Sequence, residues 1–192
     1  MRWPRPSRTA PPALTFAHVL IDIAKTYAPN TLTSFLVDQA AHIGTLIAIS
    51  ILYPTLFTKG IYADIPLLPS IMTAIAGLLI ATQAGGYAVG LLVRPFGRAF
   101  RAEGLPRGGV MIGLLERGLI FLFVLAGQPS AVGFLIAAKS VLRFDASKRK
   151  QKAAEYVIIG TLASFGWALI CAYATLALLD HLPPLGIKAL KD

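Results

Sequence analysis

Apolar residues fall into long blocks along this chain, separated by short polar or Pro/Gly-rich breaks. A membrane span takes about 20 mostly apolar residues, and the pattern gives segments of that kind near Leu32–Tyr53, Leu67–Val93, Val110–Ala126, Ala131–Phe144 and Ala153–Leu179. A shorter helix with a polar face is expected at about Leu14–Tyr27. Pro54, Pro66 and Pro69 punctuate the gap after the first span, and Gly127-Gln128-Pro129-Ser130 reads as a tight turn, since Gly and Pro both break helices. The segment after that turn is short for a full crossing. The hairpin it forms is therefore tilted, or enters and leaves on one side.

Composition agrees with this pattern. Of the 192 residues, 56% are hydrophobic and only 14% charged, against roughly 25% charged in an average soluble domain. The same numbers exclude a disordered chain, which needs low hydrophobicity and high charge. The length predicts one compact unit: a flexible basic arm over residues 1–12, a membrane domain over 13–180 and a short tail over 181–192. Cys171 is the only cysteine, so one chain forms neither a disulfide framework nor a cysteine-based zinc site.

The net charge of +9 would point to nucleic acid in a soluble protein. In so apolar a chain it points instead to basic loops beside a membrane, with no nucleic-acid partner. Arg2, Arg5, Arg8 and Lys25 precede the first span, Arg94, Arg98, Arg101 and Arg107 follow the second, and Lys139, Arg143, Lys148, Arg149, Lys150 and Lys152 follow the hairpin. Lys59, Lys188 and Lys191 fall on the other side. The positive-inside rule then places the N-terminus in the cytoplasm and the C-terminus outside. His18 and Asp22 interrupt the first apolar stretch and no A-x-A pattern follows, which argues against a cleaved signal peptide. No fixed-period repeat stands out.

Two groups of polar residues need an explanation, because a charge in a bilayer costs about 2.5–3.5 kcal/mol on insertion scales. The first is His18-x3-Asp22-x2-Lys25 followed by Asp38-Gln39-x2-His42. Residues four apart share a helix face, so two neighbouring helices each offer one His and one carboxylate, with Ser34 and Thr45 extending the second stripe. Helix bundles build metal sites in this way. His18, Asp22, Asp38 and His42 would suit one divalent ion, zinc, manganese or iron, and a metal-bound water would be a nucleophile at neutral pH. Asp38 and His42 are then the candidate catalytic residues. The plainer alternative is a buried polar network in which Lys25 neutralises Asp22 and Asp38 orients His42. Proton or ion passage is a third reading.

The second group is Glu116-Arg117, Lys139-Ser140-x2-Arg143 and Glu155. The hairpin turn sets its two arms side by side, so Glu116 can pair with Lys139 or Arg143, and Glu155 can join them. The alternative is a lipid-phosphate site made by Arg117, Lys139, Ser140 and Arg143, since guanidinium groups suit bidentate phosphate recognition. Gly86-x3-Gly90 and Gly109-x3-Gly113 are small-residue patterns that let helices approach closely. The Lys148–Lys152 run reads as a solvated loop drawn to anionic lipid. Phosphate-loop, dinucleotide, zincin and serine-hydrolase motifs are all missing.

The blocks FAHVLIDIAK, FLVDQAAHI, GLLERGLIFLFVLAGQPSAVGFLIAAKSVLRF and EYVIIGTLASFGWAL resemble a bacterial polytopic membrane family known as domain of unknown function 3307. The resemblance covers roughly Phe16 to Leu169 and sets Glu116, Arg117, Lys139, Ser140, Arg143, Glu155 and Tyr156 in motif positions. It further implies that members begin with one more membrane segment carrying its own His and Asp. A metal site in this chain would then be incomplete. The family has no established reaction to carry over.

The expectation is an all-α, polytopic membrane helix bundle of about five transmembrane segments plus the short N-terminal helix, in a bacterial inner membrane. Membrane lipids, anionic headgroups at the cytoplasmic face and other membrane proteins are its partners. The first functional reading is a non-catalytic accessory or scaffold subunit. The second is a metal-dependent enzyme acting on a lipid or polyprenyl phosphate. The third is a small ion-coupled transporter, ranked last because no inverted repeat is visible.

Overall fold

The computed structural model describes residues 10–55, 57–97, 107–143 and 151–186. Among them the chain is all helix and turn, with no strand. Arg2, Arg5, Arg8, Arg98, Arg101, the Lys148–Lys150 run, Lys188 and Lys191 lie outside the described residues, as do the side chains of Arg143 and Lys152. By its internal contacts the chain divides into two compact units, Met1–Pro66 and Leu67–Asp192.

The first unit is a helical hairpin. Helix α1 spans Ala10–Thr26 and α2 spans Leu32–Leu52. α1 starts within the stretch expected to be a flexible arm, because Pro11 and Pro12 fit a first helical turn, where an N–H has no partner in any case. Pro29 helps to end it, since the residue before a proline is pushed out of helical geometry. Thr31 then caps α2: its backbone is extended and its Oγ1 accepts the Ser34 N–H at 3.2 Å. Pro54 follows the end of α2. Most of the apolar side chains of α2 are exposed, Val37, Leu46 and Ile47 among them, as expected of a helix facing lipid.

The second unit is built around its longest helix. A rod runs from Leu68 to Phe96 as α3 (Leu68–Leu79), a π-helical turn (Ile80–Ala84) and α4 (Gly85–Gly97). Helix α5 (Gly108–Leu125) and helix α6 (Ala131–Arg143) form the expected hairpin, and α7 covers Gln151–Leu179. The hairpin turn uses both ends of its signal. Gly127 takes a φ of 70°, which favours glycine. The Gln128 and Gly127 N–H groups then reach back to the carbonyls of Phe123 and Val124, closing the last turn of α5.

Helix α7 packs against α3, α4 and α5. Ala81, Phe121, Val124, Leu125 and Ala172 form one buried cluster, and Ile120, Val132, Phe165 and Ala168 a second. Small residues set the helix spacing. A Cβ on Gly77 would overlap Thr175 Oγ1 and come within 3.1 Å of Phe121, so α3 and α7 touch there only because residue 77 has no side chain. Beyond α7, Ser70 Oγ donates to the Pro183 carbonyl at 2.6 Å and ties the following turn back to α3.

Among the described residues, four helices are long and apolar enough to cross a membrane: Leu32–Leu52, Leu68–Phe96, Gly108–Leu125 and Glu155–Leu179. The fifth segment expected, α6, is shorter. Its 13 residues rise about 20 Å, against a hydrocarbon core of about 30 Å.

Candidate metal centre

In the first unit the hairpin lays the His/Asp face of α1 against that of α2. His18 Nε2 stands 3.4 Å from Asp22 Oδ2, and His42 Nε2 stands 3.8 Å from Asp22 Oδ1. The two imidazole rings meet edge to face, with centroids 4.6 Å apart. One donor atom from each of His18, Asp22 and His42 falls within 4.8 Å of the other two. Ligand bonds to zinc are about 2.0–2.2 Å long, so two donors on one ion stand roughly 3–4 Å apart. The His18–Asp22 and His42–Asp22 separations, made to different oxygens of the one carboxylate, lie in that interval.

The state of His42 follows from its other nitrogen. Nδ1 lies 2.8 Å from the Asp38 backbone carbonyl, one turn earlier on α2. A carbonyl oxygen only accepts, so Nδ1 carries a proton, and Nε2, which faces His18 and Asp22, is the nitrogen through which neutral His42 can bind a metal. The backbone contact thus leaves Nε2 as the ligand nitrogen of His42.

Asp38 stands behind this group. The sequence offered it as a fourth ligand, but its Oδ2 accepts from Lys25 Nζ at 2.6 Å and from Gln39 Nε2 at 2.9 Å. Its Oδ1 is buried without a hydrogen-bond partner, 3.6 Å from His42 Nδ1. Exposure separates the inner and outer residues: the side chains of His18 and Asp22 are 58% and 53% exposed, His42 23% and Asp38 4%. The pairing expected of Lys25 is corrected as well. It bonds Asp38 across the hairpin instead of Asp22 on its own helix. Ser34 takes part in the α2 cap, and Thr45 Oγ1 bonds its own helix at the Ala41 carbonyl, so these two extend the stripe without joining the cluster.

The second unit uses its charged residues internally. Lys139 Nζ bonds Glu116 Oε2 at 2.6 Å, as expected of the hairpin arms, and also lies 5.2 Å above the centre of the Phe165 ring. Arg117 is buried. Its Nε–H donates to the Thr82 carbonyl at 3.1 Å and its Nη1–H to Ser164 Oγ at 3.0 Å. The guanidinium fits because Gly86 and Gly113 lack side chains: a Cβ there would come within 2.8 and 3.0 Å of it, and one on Gly85 would overlap the Trp167 ring and come within 3.2 Å of Arg117 Cδ. Trp167 Nε1–H donates to the Ile80 carbonyl at 3.0 Å, in the same π-helical turn. Ser140 Oγ bonds the Ile136 carbonyl of its own helix. Arg143 ends α6, and Glu155 lies exposed near the start of α7. Of the residues proposed to hold a headgroup phosphate, Arg117 and Lys139 are thus engaged by protein groups.

Nothing in the sequence marks Thr82 and Ser164 as the acceptors of Arg117, or Gln39 as a donor to Asp38. A buried arginine does signal that acceptors must exist, but the sequence does not say which helix supplies them.

Residues 10–64 match the family described as "Protein of unknown function (DUF3307)". The resemblance is borne out over that stretch, which nearly coincides with the first unit and carries the His/Asp cluster. The match ends before the blocks at 113–144 and 155–169. Neither the curated proteins nor the solved structures hold a match to the chain.

Proposed function

We propose that this protein is an integral protein of a bacterial inner membrane whose N-terminal hairpin binds one divalent transition metal through His18, Asp22 and His42. Zinc, manganese and iron(II) all suit two imidazoles and one carboxylate. The convergence of these three donors, with the His42 tautomer set by the Asp38 carbonyl, carries the reading. Two of the three ligands are more than half exposed, so the centre is open to a ligand from outside the hairpin. In this reading the metal supplies Lewis acidity to an anionic group such as a lipid phosphate. The second unit is the membrane scaffold. The basic clusters favour an N-terminus in the cytoplasm and a C-terminus outside.

Elemental mass spectrometry of protein purified without chelator tests the metal. The expected result is about one zinc, manganese or iron per chain, lost in a His18→Ala/His42→Ala variant. Metal-free wild type, unable to take up added zinc, refutes the reading. The purely structural alternative, an accessory subunit of a membrane assembly, would then stand. It is favoured by the internal use of Lys25, Asp38, Glu116, Arg117 and Lys139.

A further inference from the structure

Asp38 is spent on no ligand bond, yet it is the most deeply buried member of the cluster, and one of its oxygens is unused. Burying a carboxylate oxygen without a hydrogen-bond partner costs free energy. The position of that oxygen is specific. Lys25 from α1 and Gln39 from α2 both hold Oδ2, which leaves Oδ1 turned toward His42 Nδ1 at 3.6 Å. The Nδ1 proton currently goes to the Asp38 backbone carbonyl at 2.8 Å. Both acceptors on offer to this ring nitrogen belong to the same residue.

We propose that Asp38 is the positioning residue of the metal centre: its Oδ1 takes up the His42 Nδ1–H when Nε2 binds the metal. The proposal rests on the metal-binding reading above. A metal-bound histidine nearly always donates its other ring N–H to a carboxylate, a carbonyl or water, which fixes the ring and raises its basicity as a ligand. Here the acceptor is already in place and ionic. Lys25 neutralises the carboxylate from the opposite helix, so the same contact that closes the hairpin also orients His42. The spacing Asp38-x3-His42 places the carboxylate one turn behind the ligand. Lys25, one turn beyond Asp22 on α1, is placed to meet it.

The test is a competition titration of zinc and cobalt(II) into the full-length protein in detergent, comparing wild type, His42→Ala and Asp38→Asn. An asparagine cannot serve both neighbours, because its amide offers one acceptor where Lys25 and His42 need two. Whichever way the amide turns, an N–H faces a donor. Wild type is expected to bind about one equivalent, His42→Ala to lose binding, and Asp38→Asn to bind about 10–100-fold more weakly. Thermal melting of the metal-free proteins separates this loss from unfolding. Nitrogen-15 NMR of the zinc-loaded wild type needs no variant: His42 is expected to keep its proton on Nδ1 and coordinate through Nε2. Equal affinity in a folded Asp38→Asn protein overturns the role of Asp38 and leaves the centre standing. Coordination of zinc through Nδ1 overturns it too, whether or not the variant folds. No zinc uptake by wild type removes the centre and this inference with it.

Discussion

Truncation of Lys139 to alanine tests the internal use of charge in the second unit. The Lys139–Glu116 bond is 2.6 Å long, and the two side chains are only 17% and 10% exposed, in a hairpin whose surroundings are apolar. Lys139→Ala leaves Glu116 in place without its counterion. Breaking a buried pair from one side costs about 3–5 kcal/mol, and a lone charge inside an apolar helix about 2.5–3.5 kcal/mol. Both scales point to about 3 kcal/mol here. Loss of the ammonium above Phe165 is part of this, at about 0.5–1 kcal/mol. At roughly 2–4 °C per kcal/mol for a chain of this size, the melting temperature in detergent should fall by about 6–12 °C. Glu116→Gln added to Lys139→Ala removes the stranded charge and should restore about 2 kcal/mol, leaving the packing and ring contact as the remaining deficit. The reasoning is refuted if the double variant melts no higher than Lys139→Ala, or if the single change moves the melting temperature by less than about 2 °C.

Thermal melting of purified variants checks three further expectations. Gly77→Ala drives a Cβ into Thr175 and should cost about 1–3 kcal/mol, and Thr175→Ala on the same chain should return most of it. Arg117→Lys keeps the charge but cannot reach both Thr82 and Ser164 in the same geometry, so about 2–3 kcal/mol should be lost. Trp167→Phe removes the bond to the Ile80 carbonyl and part of the indole surface, a loss of about 1–2 kcal/mol.

The sequence made legible whatever depends on local spacing. The i, i+4 pairs His18/Asp22 and Asp38/His42, the Gly127–Ser130 turn and the pairing of its two arms through Glu116 and Lys139 all follow from residues close along the chain or linked by a tight turn. Contacts set by how helices rotate against each other were not legible. Lys25 looked like the partner of Asp22, three residues away, yet the rotation of α1 against α2 hands it to Asp38. Whether Asp38 binds a metal or supports a ligand depends on that same rotation, which no spacing encodes. The apolar run Leu67–Val93 read as one regular helix, because hydrophobicity carries no trace of a backbone that changes its hydrogen-bond step. The Arg117 cradle stayed hidden for the same reason: its acceptors and its glycines come from three different helices.

That change of step has a consequence for how this protein tolerates insertions and deletions. Between Ile80 and Ala84 the backbone bonds i→i+5, as in Gly85 N–H to the Ile80 carbonyl, which accommodates one residue more than a regular turn would. One residue is worth about 100° of helix rotation. Deleting a single residue there would return the rod to ordinary helix and leave its composition almost unchanged. The wide turn already absorbs that residue, so α4 would keep its facing relative to α3. Gly85 and Gly86 would stay beside the Arg117 side chain and Gly77 against Thr175. The wide turn is thus a place where the rod can lose a residue without consequence for its faces, whereas the same loss within the regular helix of α4 would turn everything beyond it by roughly a quarter of a circle.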